Sequence, residues 1–285
     1  MTMAVSLQTL MDFPIPEARQ TVTARDAILY ALTVGYGAAP LDPAHLRRVQ
    51  EHDLRPAPTL ANVVAHAGSW MKDAGVNWQR LVHSEHRLTI HRPLPLDIPL
   101  KSRSRMLSVV DRGPEKGMFA TFERTILTQA DETPVATIVQ TNACRDDGGC
   151  GSAGTPPEPL APLPDRRPDA SLAIVVPEDA ALLYRLNGDL NPLHSDPDYA
   201  ALAGFKRPIL HGLCTFGHAG YAIGKTLGTN DIADVGFIAA RFTAVVFPGD
   251  RLEFDIWQEG QDIRFRARVP AREATVLDHG TARLA

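Results

Sequence analysis

From Gly212 onward, small and apolar residues recur at steps of 3, 4, 3 and 4: Leu213, Phe216, Gly220, Ile223 and Leu227. That spacing is one face of a long α-helix. Downstream the period changes to two. Leu252, Phe254 and Ile256 alternate with polar neighbours, then Ile263, Phe265, Ala267 and Val269, with a last candidate strand at 274–282. Upstream, Asp179 can cap a short helix over 180–186. Asp196-Pro197 supplies an N-cap and a first-turn proline for a second one, which Gly204 can end. A long apolar helix followed by antiparallel strands predicts a sheet wrapped around that helix. The first half reads the same way: a helix near 60–72, then strands near 81–90, 100–110, 118–127 and 135–141. The predicted class is α+β, two tandem sheet-around-helix units.

The two halves match at a single offset. Asp26, Gly35, Pro95 and Asp97 recur as Asp179, Gly188, Pro248 and Asp250, each 153 positions later, and Thr59-Leu60 falls on Gly212-Leu213. Separate segments sharing one offset predict an internal duplication. Residues 145–169 hold four glycines and six prolines in 25 positions, a composition that resists both helix and strand. The expected organisation is an N-terminal unit over 1–145, a Gly/Pro-rich linker over 146–169, and a C-terminal unit over 170–285.

Composition narrows the function classes. With 285 residues, 44% of them hydrophobic and 22% charged, the chain has globular composition. Twenty-nine basic against 33 acidic residues leave a net charge of −4, so no basic field favours nucleic acid. No run approaches the roughly 20 apolar residues of a membrane span. The N-terminal stretch lacks the basic region of a signal peptide, and Arg283-Leu284-Ala285 is not a peroxisomal address. Three cysteines are too few for a disulfide framework, and Cys144 and Cys150 have no paired histidines, so no metal site is expected. A cytoplasmic protein with no nucleic-acid or membrane partner is expected.

The segment Gly188-Asp-Leu-Asn-Pro-Leu-His194 places a carboxylate and an imidazole five residues apart. Pro192 drives Asn191 out of helical geometry, so Asp189 and His194 lie across a bend. Such a pair can share and activate a water near neutral pH, with Asn191 orienting that water or fixing the His194 tautomer. The same residues also read as simple helix-entry caps with a surface histidine, and both readings stand at this level. In Pro208-Ile-Leu-His-Gly212, the glycine begins the long helix. Its N–H is unsatisfied and lies at the positive end of the helix dipole, where it can polarise a thioester carbonyl. Arg264, Arg266 and Arg268 share one strand face, which reads as a solvated face, a subunit contact or a phosphate site. Cys214, inside the apolar helix, reads as a packing residue.

These motifs bring the chain to a family. The run from Gly188 to His194, Leu202-Ala-Gly-Phe205 and Pro208-Ile-Leu-His-Gly-Leu-Cys-Thr-Phe-Gly217 resemble the (3R)-specific enoyl-CoA hydratases of the hydratase 2 type, within the MaoC-like dehydratases. Leu29 to Gly35, Leu81 to Glu85, Pro93-Leu-Pro95, Ala240-Arg-Phe242 and Pro248-Gly249 extend the resemblance over nearly the whole chain. It implies a double hot-dog fold that hydrates trans-2-enoyl-CoA to (3R)-3-hydroxyacyl-CoA. No metal or organic cofactor is implied, coenzyme A being part of the substrate.

By position, the resemblance makes Asp189 and His194 the catalytic pair, supported by Asn191, and Gly212 the oxyanion donor. His83, Ser84 and Arg112, with Leu190, Pro192, Leu193 and Phe242, become substrate contacts, and a homodimer is implied. Ser84 and His86 depart from the family's Gly and Gln, and the side chain at Ser84 is expected to alter a backbone approach to coenzyme A. The 153 offset sets Tyr36 and Leu41 opposite Asp189 and His194, so the N-terminal unit is expected to lack the catalytic pair and to accommodate the acyl chain. Dehydration of acyl-carrier-protein, branched or dicarboxylic thioesters, thioester hydrolysis, and acyl-CoA binding without catalysis are the alternatives.

Overall fold

The computed structural model describes residues 5–228 and 231–285. In chain order the first elements are α1 (Leu7–Met11), β1 (Ala18–Thr21), α2 (Ala24–Thr33), α3 (Pro43–Val49) and α4 (Trp70–Asp73). Then come β2 (Leu81–Ile90), β3 (Pro99–Asp111), β4 (Met118–Thr128), β5 (Pro134–Cys144) and the two-residue β6 (Ala153–Gly154). The remainder is β7 (Ala170–Val175), α5 (Ala180–Tyr184), α6 (Pro197–Leu202), α7 (Gly212–Leu227), β8 (Val235–Phe242), β9 (Arg251–Glu259), β10 (Asp262–Val269) and β11 (Ala274–Leu284).

Packing divides the chain into two units. One comprises the residues through Thr21, Val64–Arg92 and Ile98–Pro159; the other comprises Val22–Val63, Pro93–Asp97 and Leu160–Ala285. The linear division expected from the sequence therefore differs from the packing: Val22–Val63, counted with the N-terminal half, folds into the second unit. The cause is the buried face of α2. Ala27, Tyr30 and Ala31 are fully buried, α2 packs on α5, and the Tyr30 ring lies 6.0 Å from that of Tyr184.

In the first unit an antiparallel sheet runs β1-β3-β4-β5-β2, with β6 added to β3. Its core gathers Leu10 of α1, Trp70 and Met71 of α4, and Met106, Met118 and Phe122 of the sheet. The helix expected near 60–72 is absent. In its place stand a 3-10 turn, Pro58–Asn62, and the single turn of α4, because the main chain between them is left-handed at Ala65 (φ 47°) and Gly68 (φ 69°). Side chains satisfy that stretch instead of helical neighbours. Gln20 Oε1 accepts the Ala65 N–H at 2.8 Å, Ser102 Oγ donates to the Ala65 carbonyl at 2.6 Å, and Arg124 donates to the Val64 carbonyl.

The second unit has the sheet β7-β9-β10-β11-β8, and α7 packs against β7, β8 and β9. Every residue of α7 from Cys214 to Gly224 is buried. Burying Phe216 and Ile223 contributes roughly 1.5–3 kcal/mol each. Glycine inside a helix costs about 1 kcal/mol relative to Ala, and α7 carries it for a spatial reason. A Cβ on Gly217 would lie 2.5 Å from Val34 Cγ1, and one on Gly220 would lie 2.9 Å from Thr59 Cγ2.

The two sheets use one strand order twice: β1, β3, β4, β5 and β2 correspond to β7, β9, β10, β11 and β8. The first three pairs in chain order, β1/β7, β2/β8 and β3/β9, begin 152, 154 and 152 residues apart. The next two begin 144 and 140 apart, because the second copy has shorter strands and a tighter hairpin after β9. This is a double hot-dog of class α+β, whose first copy carries short helical turns where the second has α7.

Candidate active site

The loop that carries Asp189 and His194 is built by local rules. After α5, a 3-10 turn (Arg185–Asn187) ends on Gly188 at φ 110°, where an added Cβ would meet nothing within 4 Å. Gly188 is thus present for its left-handed backbone, not for room. Asp189 Oδ1 accepts the Asn191 N–H at 3.2 Å, and Asn191 Oδ1 accepts the Leu193 N–H at 3.0 Å. These two Asx-type bonds shape the loop and cap the single turn Pro192–His194. Asn191 therefore supports the pair through the main chain, by carrying the turn on which His194 sits.

A different group sets the His194 tautomer. Its Nδ1 lies 2.8 Å from the Ile209 carbonyl. A carbonyl only accepts, so Nδ1 carries the proton and the lone pair is on Nε2. His194 is buried and Asp189 is exposed. Burial pushes the His194 imidazole below its ordinary value, while the Ile209 carbonyl and the Asp189 charge pull it back up. The ring is thus neutral at neutral pH and basic at Nε2.

A third group, His211, was visible in the sequence only as the neighbour of Gly212. Its ring stacks on that of His194, with centroids 3.7 Å apart and planes at 26°, and its Nε2 lies 3.2 Å from the Asp189 carbonyl. Burial first, then His194, push it down to about 4. One ligand-type atom each from Asp189, His194 and His211 falls within 4.8 Å of the others. Such a set of atoms is close enough to hold a metal ion as well as to share a water.

Gly212 is the first residue of α7, with His211 as N-cap. Its N–H has no carbonyl partner within the helix and lies at the positive end of the dipole. A Cβ there would come 3.2 Å from the Phe242 ring, which ends β8 beside Phe216. Leu190 is 61% exposed, while Pro192 and Leu193 are half-buried. Asp189, Leu190, Asn191, Pro192, Leu193, His194, Gly212 and Phe242 all lie in the second unit.

His83, Ser84 and Arg112 belong to the first unit. The pairing of β2 with β5 slips between His83 and Glu85, which makes Ser84 the extra residue of a β-bulge. His83 Nε2 lies 3.2 Å from His86 Nδ1, across this bulge. Arg112 donates to the Lys116 carbonyl at 2.6 Å, and its guanidinium lies 4.2 Å from the Phe119 ring centroid.

Other sequence candidates resolve as structural. Arg266 and Arg268 both bind the buried Asp255, at 2.8 and 2.9 Å, and Arg264 faces Glu259, so the arginine face is charge-paired. The Cys214 thiol donates to the Thr33 carbonyl, and burial pushes its pKa up, away from nucleophilic use. Tyr36 packs edge-on against Tyr221 in the core, while Leu41 is exposed. Asp179 makes no side-chain cap to α5, whereas Asp196 caps α6 as expected.

Known proteins align with both repeats. The MaoC like domain model matches residues 159–278, and the MFE-2 hydratase 2 N-terminal domain model matches residues 20–145. The chain is 39% identical over 269 residues to 3-hydroxyacyl-thioester dehydratase Y of Mycobacterium tuberculosis, covering 90% of this chain and 91% of that one. It is 33% identical to enoyl-CoA hydratase 2, peroxisomal, of Arabidopsis thaliana, over 94% of this chain and 92% of the relative. The crystal structure of a MaoC-like dehydratase from Phytophthora capsici superposes with a TM-score of 0.86 at 27% identity, over 99% of both chains. Matched in each repeat and along nearly the full length of these two relatives, the chain belongs to the MaoC-like dehydratase family, in its hydratase 2 branch, a family of lyases.

Proposed function

We propose that the chain hydrates trans-2-enoyl-CoA to (3R)-3-hydroxyacyl-CoA, and in reverse dehydrates the hydroxyacyl thioester. The observation that supports this is the Asp189 carboxylate within 4.8 Å of a His194 imidazole nitrogen, with Gly212, the first residue of α7, directly following His211 of the same cluster. Water held between the carboxylate and His194 Nε2 gives up a proton as its oxygen bonds to C3. The C2=C3 electron pair moves through the thioester onto its oxygen, which the Gly212 N–H stabilises. The pair then returns a proton to C2 on the same face, which regenerates the site. Leu190, Pro192, Leu193 and Phe242 supply apolar contact to the acyl portion. For His83, Ser84 and Arg112 as substrate contacts, and for a homodimer, the proposal rests on the family resemblance alone.

The test is hydration of a short- and a medium-chain trans-2-enoyl-CoA, with chiral analysis of product, for wild type and Asp189→Asn in the presence of a chelator. Asn preserves the Oδ1 that accepts the Asn191 N–H, so the loop keeps its shape. The expected result is (3R) product from wild type and a kcat lowered by about 10²–10⁴ in the variant, with KM little changed. A variant keeping more than about a tenth of wild-type kcat would remove Asp189 from the chemistry. Free coenzyme A as product would mean hydrolysis, and activity lost to the chelator would mean a metal takes part.

A further inference from the structure

His211 takes no step in the hydration set out above, yet it touches both groups that do. Its Nε2 faces the Asp189 carbonyl, 22 residues earlier in the chain, and its ring lies face to face with His194. On another side it meets Tyr184, with ring centroids 4.9 Å apart, so it is wedged between two aromatic neighbours. We infer, resting on the proposed hydration, that His211 is a positioning residue: its Nε2–H anchors the main chain at Asp189 and its face fixes the plane of His194, which holds the carboxylate and His194 Nε2 at one separation.

Hydrogen-bond bookkeeping supports the role. The carbonyl of Asp189 can only accept, so His211 carries its proton on Nε2. Its Nδ1 is then a lone pair, buried and without a protein partner among the described residues. A second proton there would create a buried charge against His194, so the ring stays neutral. When His194 takes the proton of the water, its positive charge develops over a neutral ring face rather than beside another cation. Asp189 needs such an anchor because it follows a left-handed glycine on an exposed loop.

Two variants separate the contributions. His211→Phe keeps the aromatic face and loses the donor; His211→Gln keeps an N–H at similar reach and loses the face. With misplacement of about 1 Å costing on the order of 10² in rate, each is expected to lower kcat at least about tenfold while KM stays within about threefold. In His211→Gln the acidic limb of the kcat/KM profile, set by His194, should also move up toward an ordinary histidine, since the ring that desolvates it is gone. Both variants keeping kcat within about twofold, or a loss confined to KM or Tm with the limb unmoved, would overturn the positioning role. If wild type hydrates no enoyl-CoA, the hydratase reading fails by itself. The anchor is then judged by amide hydrogen exchange over 188–194, where faster exchange in His211→Phe supports it and unchanged exchange overturns it.

Discussion

Deleting a single N–H tests the oxyanion assignment. Gly212 is the first residue of α7, and the preceding His211 has φ −59° and ψ 133°. That is the extended conformation a following proline demands, and proline is well tolerated at the first helical position. Gly212→Pro therefore removes one N–H that the helix ladder does not use. The complication is the added carbon. A Cβ at this position lies 3.2 Å from Phe242 Cε1, close enough that the ring must give by a few tenths of an ångström. Gly212→Ala carries the same Cβ and keeps the N–H, so the ratio of the two variants isolates the donor. Losing one oxyanion donor costs about 10²–10³ in kcat, or about 2.7–4 kcal/mol. Steady-state hydration of a trans-2-enoyl-CoA should show Ala modestly slowed and Pro slower by that further factor, with similar KM. Rates for Pro and Ala within about fivefold of each other would mean that another group holds the developing oxyanion.

Two more predictions concern stability. His218 is buried in α7, bonds the Cys214 carbonyl through Nδ1 at 2.9 Å, and is pushed by burial down to about 4. Its folded value lies below its unfolded one, so its contribution is whole above about pH 6.5 and is lost as pH falls toward 4, at about 1.4 kcal/mol per pH unit. Urea unfolding at about pH 7.5 and about pH 5.5 should show a smaller acid loss in His218→Asn than in wild type; equal losses would contradict it. Gly217→Ala should lower the urea midpoint, because the overpacking against Val34 costs about 1–3 kcal/mol and outweighs the roughly 1 kcal/mol gain in helix propensity. A higher midpoint would mean that Val34 moves aside freely.

How much was legible depended on how local each feature is. β2 runs from Leu81 to Ile90, as its pattern predicts, and α7 begins at Gly212, where the apolar stripe begins. β8 escaped notice as a strand because its burial does not alternate: Ile238, Ala239 and Ala240 are buried in succession. The missing first-half helix was hidden differently. Residues 60–72 are apolar enough for a helix, and side-chain bonds from Gln20, Ser102 and Arg124 draw the backbone at Val64 and Ala65 away from it.

The sequence by itself determined the duplicated plan, the long second-half helix and the loop that carries Asp189 and His194. Period, capping residues and a glycine that must be left-handed act over a few residues, and Asp189, Asn191 and His194 fall inside one such stretch. Only the tertiary structure decided that Val22–Val63 packs with the second unit, that the Ile209 carbonyl sets the His194 tautomer, and that His211 stacks on His194 while anchoring Asp189. Those pairings join residues 15 and more positions apart. What selects them is which buried surfaces and orphaned polar groups meet once the sheet has closed on its helix, a choice that local pattern does not encode.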